Sequence, residues 1–317
     1  MLKNYIKITV RNLFSNKLFT TVNILGLSIG IATTLLIFVW VQNEWSFDDY
    51  HKDSDQIYRV VSHIDASTEV WNWASIPYAS LTHIEQLPEV SQIALMKKRK
   101  TLFKIKQQKV FEEKNLALIN RDWFEVFDYE ILAGNIKDFT SNIHSIALTQ
   151  RQAKKYFGTE DVLGENIMMD SIPYQINLIL ADPPANSSFT FDAYIPLEST
   201  WTDEKKMEKQ LTDWGNYDYR AFLKIANPSI RPDLVAEKLK AIFDEYKRNY
   251  NNAFSLEAIT DIRFSQTVRD DFQHQNKAGV YIFALIGFII LLVAGLNYVN
   301  LSSALVSQRV KEIGIKK

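Results

Sequence analysis

Two stretches without a single charged residue divide the chain, residues 18–43 and 278–308. A helix rises about 1.5 Å per residue, so ~20 residues cross the ~30 Å hydrocarbon core of a bilayer, and both stretches are long enough. A cleaved leader has a shorter apolar core with small residues at the cut. The first stretch instead ends in bulky "FVWVQNEW". A buried core helix of a soluble protein rarely runs this far without a charge. Two such stretches predict two membrane spans, 18–43 and 278–306, around an intervening segment 44–277.

That segment alternates strand and helix patterns. "QIYRVVSHI", "KTLFKIKQQKVFEEKNLALI", "SIALT", "PYQINLILAD", "DAYIPL", "YRAFLKIA" and "NAFSLEAI" read as strands, and "KQQK" as the turn of a hairpin. Helical periodicity appears near 80–86, at 150–157 and over 232–248. Strands interleaved with helices predict a mixed α/β (α+β) domain, here expected to form two subdomains.

Charge sets the orientation. Lys3, Lys7, Arg11 and Lys17 precede the first span, with no acid among them. Arg309, Lys311, Lys316 and Lys317 follow the second, against Glu312 alone. By the positive-inside bias both ends face the cytoplasm and residues 44–277 lie outside. Trp40, Trp45 and Tyr281 fall where interfacial aromatics belong. Residues 1–17 place Leu2, Ile6, Val10, Leu13 and Phe14 on one helical face beside the cations, the pattern of a basic helix lying on membrane lipid. The chain has no cysteine, so the outer domain must be held by an ordinary core.

Motifs for catalysis are missing. The sequence has no G-x-x-x-x-G-K-[ST], so ATP cannot bind this chain through a P-loop, and no G-x-S-x-G. Its five histidines, at 51, 63, 83, 144 and 274, lack metal-ligand spacing. The pairs Asp48/Asp49 and Glu112/Glu113 read as solvated surface. The basic run Lys97–Lys100 reads as a solvated strand end, not a nucleic-acid contact. No catalytic, cofactor or metal residue is assigned.

The spans carry more. Gly26 and Gly30 lie four apart on one helix face, where another backbone can approach closely. Asn297, Asn300, Ser303 and Ser307 form a polar seam in or near hydrocarbon, where an amide needs a partner. Two spans offer few partners for such faces, so further helices are expected.

These residues carry a resemblance. "VRNLFSNKLFTTVNILGLSIGIA" resembles the entry into the first span of MacB/FtsX-type ABC transporter permeases. "LNYVNLSSALVSQRVKEIGIKK" is similar to that family's second-span exit, with its R-x-x-E-[IV]-G-[IV]-[RK]-K pattern. "ALTQRQAKKYFG", "DVLGENIMMDSIPYQINLILADPPANSSF" and "LEAITDIRFS" resemble its extracytoplasmic core domain. The resemblance implies a multi-pass permease of the bacterial cytoplasmic (inner) membrane, working with a separate P-loop ATPase subunit. It implies pairing with a second permease unit or a second copy, and an exported substrate or envelope protein on the far side. It also implies more spans than two, so the chain is expected to be the N-terminal part of a longer permease. Arg309, Glu312, Gly314, Lys316 and Lys317 then open the ATPase-coupling region at 307–317. The competing reading is a two-span signalling receptor with an outer sensor domain. An anchored extracytoplasmic enzyme would need a site that the sequence does not display.

Overall fold

The computed structural model describes residues 17–65, 69–105, 109–201, 203–246, 252–269 and 272–315. The basic lead-in at 1–16 lies outside them, as do Lys316 and Lys317. The chain divides into two compact units, Met1–Trp45 with Gln275–Lys317, and Ser46–His274.

The first unit is a pair of long helices, α1 (Lys17–Trp45) and the last helix of the chain (Lys277–Ile315). Within them, Thr20–Trp45 and Lys277–Asn300 are long and apolar enough to cross a membrane. The helices run antiparallel: Gly30 meets Ala294, Gly287 meets Ile37, and Trp40 packs edge-on to Phe283 with ring centres 5.1 Å apart. Trp45 and Tyr281, 5.7 Å apart, pair at one end, where amphipathic rings favour a bilayer interface. Asn276 caps the second helix, its Oδ1 accepting from the Ala278 N–H at 2.9 Å. Elsewhere the surface is apolar and uncovered. Ile29, Leu36 and Phe38 on α1, and Leu285, Phe288 and Val293 on the other helix, are more than half exposed. A soluble helix pair could not present such a surface.

Among the described residues, the second unit holds one sheet of eleven strands. They are β1 (Ile57–Asp65), β2 (Val70–Trp73), β3 (Val90–Ile105), β4 (Lys109–Ile119), β5 (Ile131–Gly134), β6 (Ser145–Thr149), β7 (Asn166–Met169), β8 (Ile172–Leu180), β9 (Ala193–Pro196), β10 (Arg220–Ile225) and β11 (Asn252–Ala258). The spatial order is β11-β1-β10-β3-β4-β9-β6-β8-β5, with β2 on β1 and β7 bridging β3 and β8. Pairing is antiparallel except for β4–β9 and β6–β8, so the sheet is mixed.

Both faces are buried. Alternation along the central strands sends Leu95, Leu116, Leu118 and Leu223 to one face and Ala94, Met96, Ala117 and Phe222 to the other. Among the described residues seven further helices follow α1. They are α2 (Leu81–Ile84), α3 (Trp123–Val126), α4 (Ile136–Ser141), α5 (Gln150–Phe157), α6 (Glu204–Thr212), α7 (Pro232–Tyr246) and α8, the Lys277–Ile315 helix of the first unit. The first face is covered by α5 and α7 through Ala153, Tyr156, Leu239 and Phe243. The second is covered by α3, α4 and the 3-10 turn Ile259–Phe264 through Trp123, Phe139 and Ile262. Each such side chain contributes about 1.5–3 kcal/mol on full burial.

The two subdomains expected from the sequence do not separate. The chain builds β1–β4, moves out to make β5–β9, and returns for β10 and β11. The parallel β4–β9 ladder, Leu116 opposite Ala193 through Ile119 opposite Pro196, joins the two halves into one sheet. A pairing between strands this far apart in sequence leaves no local trace.

Candidate functional site

The helix pair brings together the small residues of the first span and the polar seam of the second. A Cβ built on Gly30 would lie 2.6 Å from the Ala294 Cβ, and one on Gly26 3.4 Å from the Asn297 Nδ2. Gly287 lies under Ile37, whose Cγ2 is 3.0 Å from its hypothetical Cβ. Between these levels the Thr34 hydroxyl sits 2.9 Å from the Gly30 carbonyl and 3.2 Å from the Gly287 carbonyl of the facing helix. Its one proton is shared between the two, a polar tie in a setting without water to compete. The sequence reading missed Thr34, Gly287 and Ala294. An apolar run with no polar period hides which of its small residues face a partner.

Asn297 is largely exposed despite facing Gly26, and Asn300 is exposed as well. Arg309, Glu312 and Gly314 lie in the last turns of α8. At about 1.5 Å per residue its 39 residues span about 58 Å, nearly twice the hydrocarbon thickness. The helix therefore continues as one rod well beyond any span it makes.

A second cluster sits where the chain enters the outer domain. Asp48 is fully buried at φ 58°, a left-handed conformation that few side chains adopt. Its N–H donates to the Asn186 carbonyl at 2.9 Å, and its Oδ1 accepts from the Ser188 N–H at 2.8 Å. Asn186 in turn donates to the Ser46 carbonyl at 2.7 Å, and Tyr50 and Ser187 share a hydrogen bond of 2.9 Å. Segment 46–51 is thereby stitched to the loop "DPPANSSF" at residues 182–189. His51, also buried, accepts from the Asp128 N–H at 3.1 Å and lies among the rings of Tyr50, Phe127 and Phe189. Burial raises the Asp48 carboxyl to about 6 and lowers the His51 imidazole to about 4. Arg263 spans both ends of the unit, its guanidinium 4.2 Å from the Phe47 ring centre and 3.2 Å from the Gln273 carbonyl.

Asp48/Asp49 is thus not the solvated pair expected: Asp49 is exposed and Asp48 is not. Glu112/Glu113 divides in the same way, with Glu113 buried against Gln152 and Tyr156. Adjacent residues do point apart, but both faces of this sheet are covered. Among the described residues no group of His, Cys, Asp and Glu is arranged to hold a metal ion. The first unit thus offers a tight helix pair and a long rod, and the second a polar seam at the chain's entry into the domain.

Residues 20–242 match the family model described as the MacB-like periplasmic core domain. No curated protein matches the chain. Among solved structures, a domain of a protein assigned as a permease in Porphyromonas gingivalis is 18% identical with TM-score 0.56, over 74% of this chain and 99% of that one. The periplasmic region of MacB from Actinobacillus actinomycetemcomitans is 12% identical with TM-score 0.45, over 63% and 87%. The extracellular domain of the noncanonic ABC-type transporter YknZ from Gram-positive bacteria is 14% identical with TM-score 0.46, over 63% and 98%. At 18% identity the first of these speaks for the fold alone, and the family match, over well more than half the chain, speaks for kinship. With its extracytoplasmic domain flanked by two apolar helices, the chain belongs to the MacB-like periplasmic core domain family and is a MacB/FtsX-type ABC transporter permease.

Proposed function

We propose that this permease is a mechanotransmission subunit. ATP hydrolysis on a partner P-loop subunit moves the helix pair, and the helices move the outer domain, which acts on an exported substrate or an envelope protein. The chain works beside a second permease unit, a copy or a relative, and its role needs at least two global states. The observation that carries this reading is the unbroken α8, one rod from Lys277 to Ile315. Its far end holds the residues proposed to meet the ATPase: Arg309, Glu312, Gly314, and beyond the described residues Lys316 and Lys317. Cations alone would suit anionic lipid. Glu312 weakens such a patch, and Gly314 costs about 1 kcal/mol in a helix interior relative to Ala. Both suit a protein contact instead.

In the complete permease assembled with its ATPase, Glu312→Lys or Gly314→Leu is expected to leave insertion and the outer fold intact. Each should lower transport about tenfold while ATP turnover continues. Full transport in both variants would reduce the segment to a membrane anchor.

The orientation has its own test, since the chain lacks cysteine. An impermeant thiol reagent on intact cells should label Ser229→Cys, exposed in the outer domain, and spare Asn16→Cys. The reverse pattern would place residues 44–277 inside and remove the basis of this proposal.

A further inference from the structure

The basic run Lys97–Lys100 lies on β3, where alternation splits it between the two faces. Lys98 and Lys100 are exposed, whereas Lys97 and Arg99 are half-buried on the face that carries Leu95. There they line a groove of about 260 Å³, together with Lys206 and Gln210, one turn apart on α6, and the side chains of Trp201 and Tyr219. None of the residues lining this groove is acidic. Its walls offer three cations and two aromatic rings, with the Lys97 amine 5.8 Å from the Tyr219 ring centre.

We propose that this groove binds an organic carboxylate, either the free C-terminus of a peptide or a small organic acid. Lys97 pairs with Asp218 at 2.6 Å and Arg99 pairs with Asp170, but all four side chains are substantially exposed. Exposed ion pairs contribute little, so a ligand oxygen can replace either aspartate at small cost. A carboxylate held by both Arg99 and Lys97 makes the stronger, charge-assisted kind of hydrogen bond. The Trp201 indole lies against the Tyr219 side chain, to which it hydrogen-bonds, and the Tyr219 hydroxyl in turn donates to Gln210 at 2.8 Å. The half-buried Trp201 ring argues for a carbon body behind the charge, because a bare inorganic anion would leave it in contact with water. The volume fits a fragment of one or two residues, below the size of a drug pocket. The proposal is independent of the transport reading, since it concerns recognition by the outer domain alone.

Calorimetric titration of the full chain in detergent tests it with four probes. These are N-acetyl-alanyl-phenylalanine as the free acid, the same peptide as its C-terminal amide, 3-phenylpropanoate, and inorganic phosphate. The free acid, phenylpropanoate or both should bind saturably, and the amide and phosphate at least tenfold more weakly. A response to the peptide acid alone identifies a chain end as the ligand class, and one to phenylpropanoate identifies free acids. Arg99→Gln should weaken binding about tenfold, and Lys98→Gln, the same charge change on the opposite face, should leave it unaltered. If Arg99→Gln shifts the thermal unfolding of the chain, Lys206→Gln on the α6 surface makes the same test. No binding by any probe, equal binding of acid and amide, equal binding of phosphate, or equal loss from Lys98→Gln would overturn the proposal.

Discussion

Replacing Gly30 with leucine should open the helix pair, whereas the same change at Gly295 should not. A Cβ on Gly30 would stand 2.6 Å from the Ala294 Cβ, a separation that real side chains do not show, and leucine adds three more carbons beyond it. Overpacking of this kind costs about 3 kcal/mol. Leucine returns about 1 kcal/mol of helix propensity over glycine, so the clash wins by about 2 kcal/mol. Gly295 has nothing within 4 Å of its hypothetical Cβ, and there only the propensity gain remains. Ile29, on the exposed side of α1, should also accept leucine. The readout is a disulfide between Ile37→Cys and Gly287→Cys, whose Cβ positions lie about 3.4 Å apart, near the natural span of such a bond. Gly30→Leu should cut its yield severalfold, and Gly295→Leu and Ile29→Leu should preserve it. Equal yields in all three backgrounds would mean that Gly30 contributes nothing to the pairing of α1 with α8.

Gly26 and Gly30 were legible in the sequence because a four-residue spacing of small side chains is a local pattern. Their partners were not: Ala294 and Gly287 sit in a run where every position is apolar or small, and no period marks one face. The outer domain repeats this contrast. The helix α5 is visible to the residue because both ends are written into it. Thr149 caps it by accepting from the Gln152 N–H, and Gly158 at φ 78° closes it. The first half of β3 was not visible, since "IALM" is buried on both faces and shows no alternation. The entry cluster was read as surface for a related reason. Asp48 looks like any loop aspartate until the loop at 182–189, far along the chain, is folded over it. Local chemistry is written in the sequence at its own position. Burial by a distant segment is not.

That burial makes the entry cluster a pair of opposed titrations between pH 4 and 6.5. Asp48 is pushed from 3.8 to about 6 by loss of water around it, against the smaller favourable effects of Ser188, Ser187 and Arg263. Because its folded pKa is raised, its contribution to stability is fully present below about 4 and is lost as pH rises through 6. His51 is pushed from 6.5 to about 4 by burial, with Asp128 opposing weakly. Its Nδ1 accepts the Asp128 N–H, which requires that nitrogen to be unprotonated. Because its folded pKa is depressed, its contribution is present above 6.5 and is lost as pH falls towards 4. A shift of about two units corresponds to about 3 kcal/mol for each group, and both are too buried for solvent to screen. Between pH 4 and 6 the two slopes have opposite sign, so this cluster should leave the unmodified chain nearly flat there. Asp48→Asn keeps an oxygen for the Ser188 N–H but removes the buried charge. It should stabilise the outer domain by about 3 kcal/mol at pH 7 and expose the His51 slope, with stability falling as the pH is lowered to 4. His51→Asn, whose Oδ1 can still accept from Asp128, should expose the reverse: stability falling as pH rises from 4 to 6. Denaturant unfolding of the full chain in detergent, followed by tryptophan fluorescence from pH 4 to 7.5, measures both slopes. If Asp48→Asn gains nothing at pH 7, or both variants keep the parental profile, the carboxylate of Asp48 is hydrated in solution. The segment leaving the first span would then be held by its contacts with Asn186 and Ser187, without the Asp48 carboxyl.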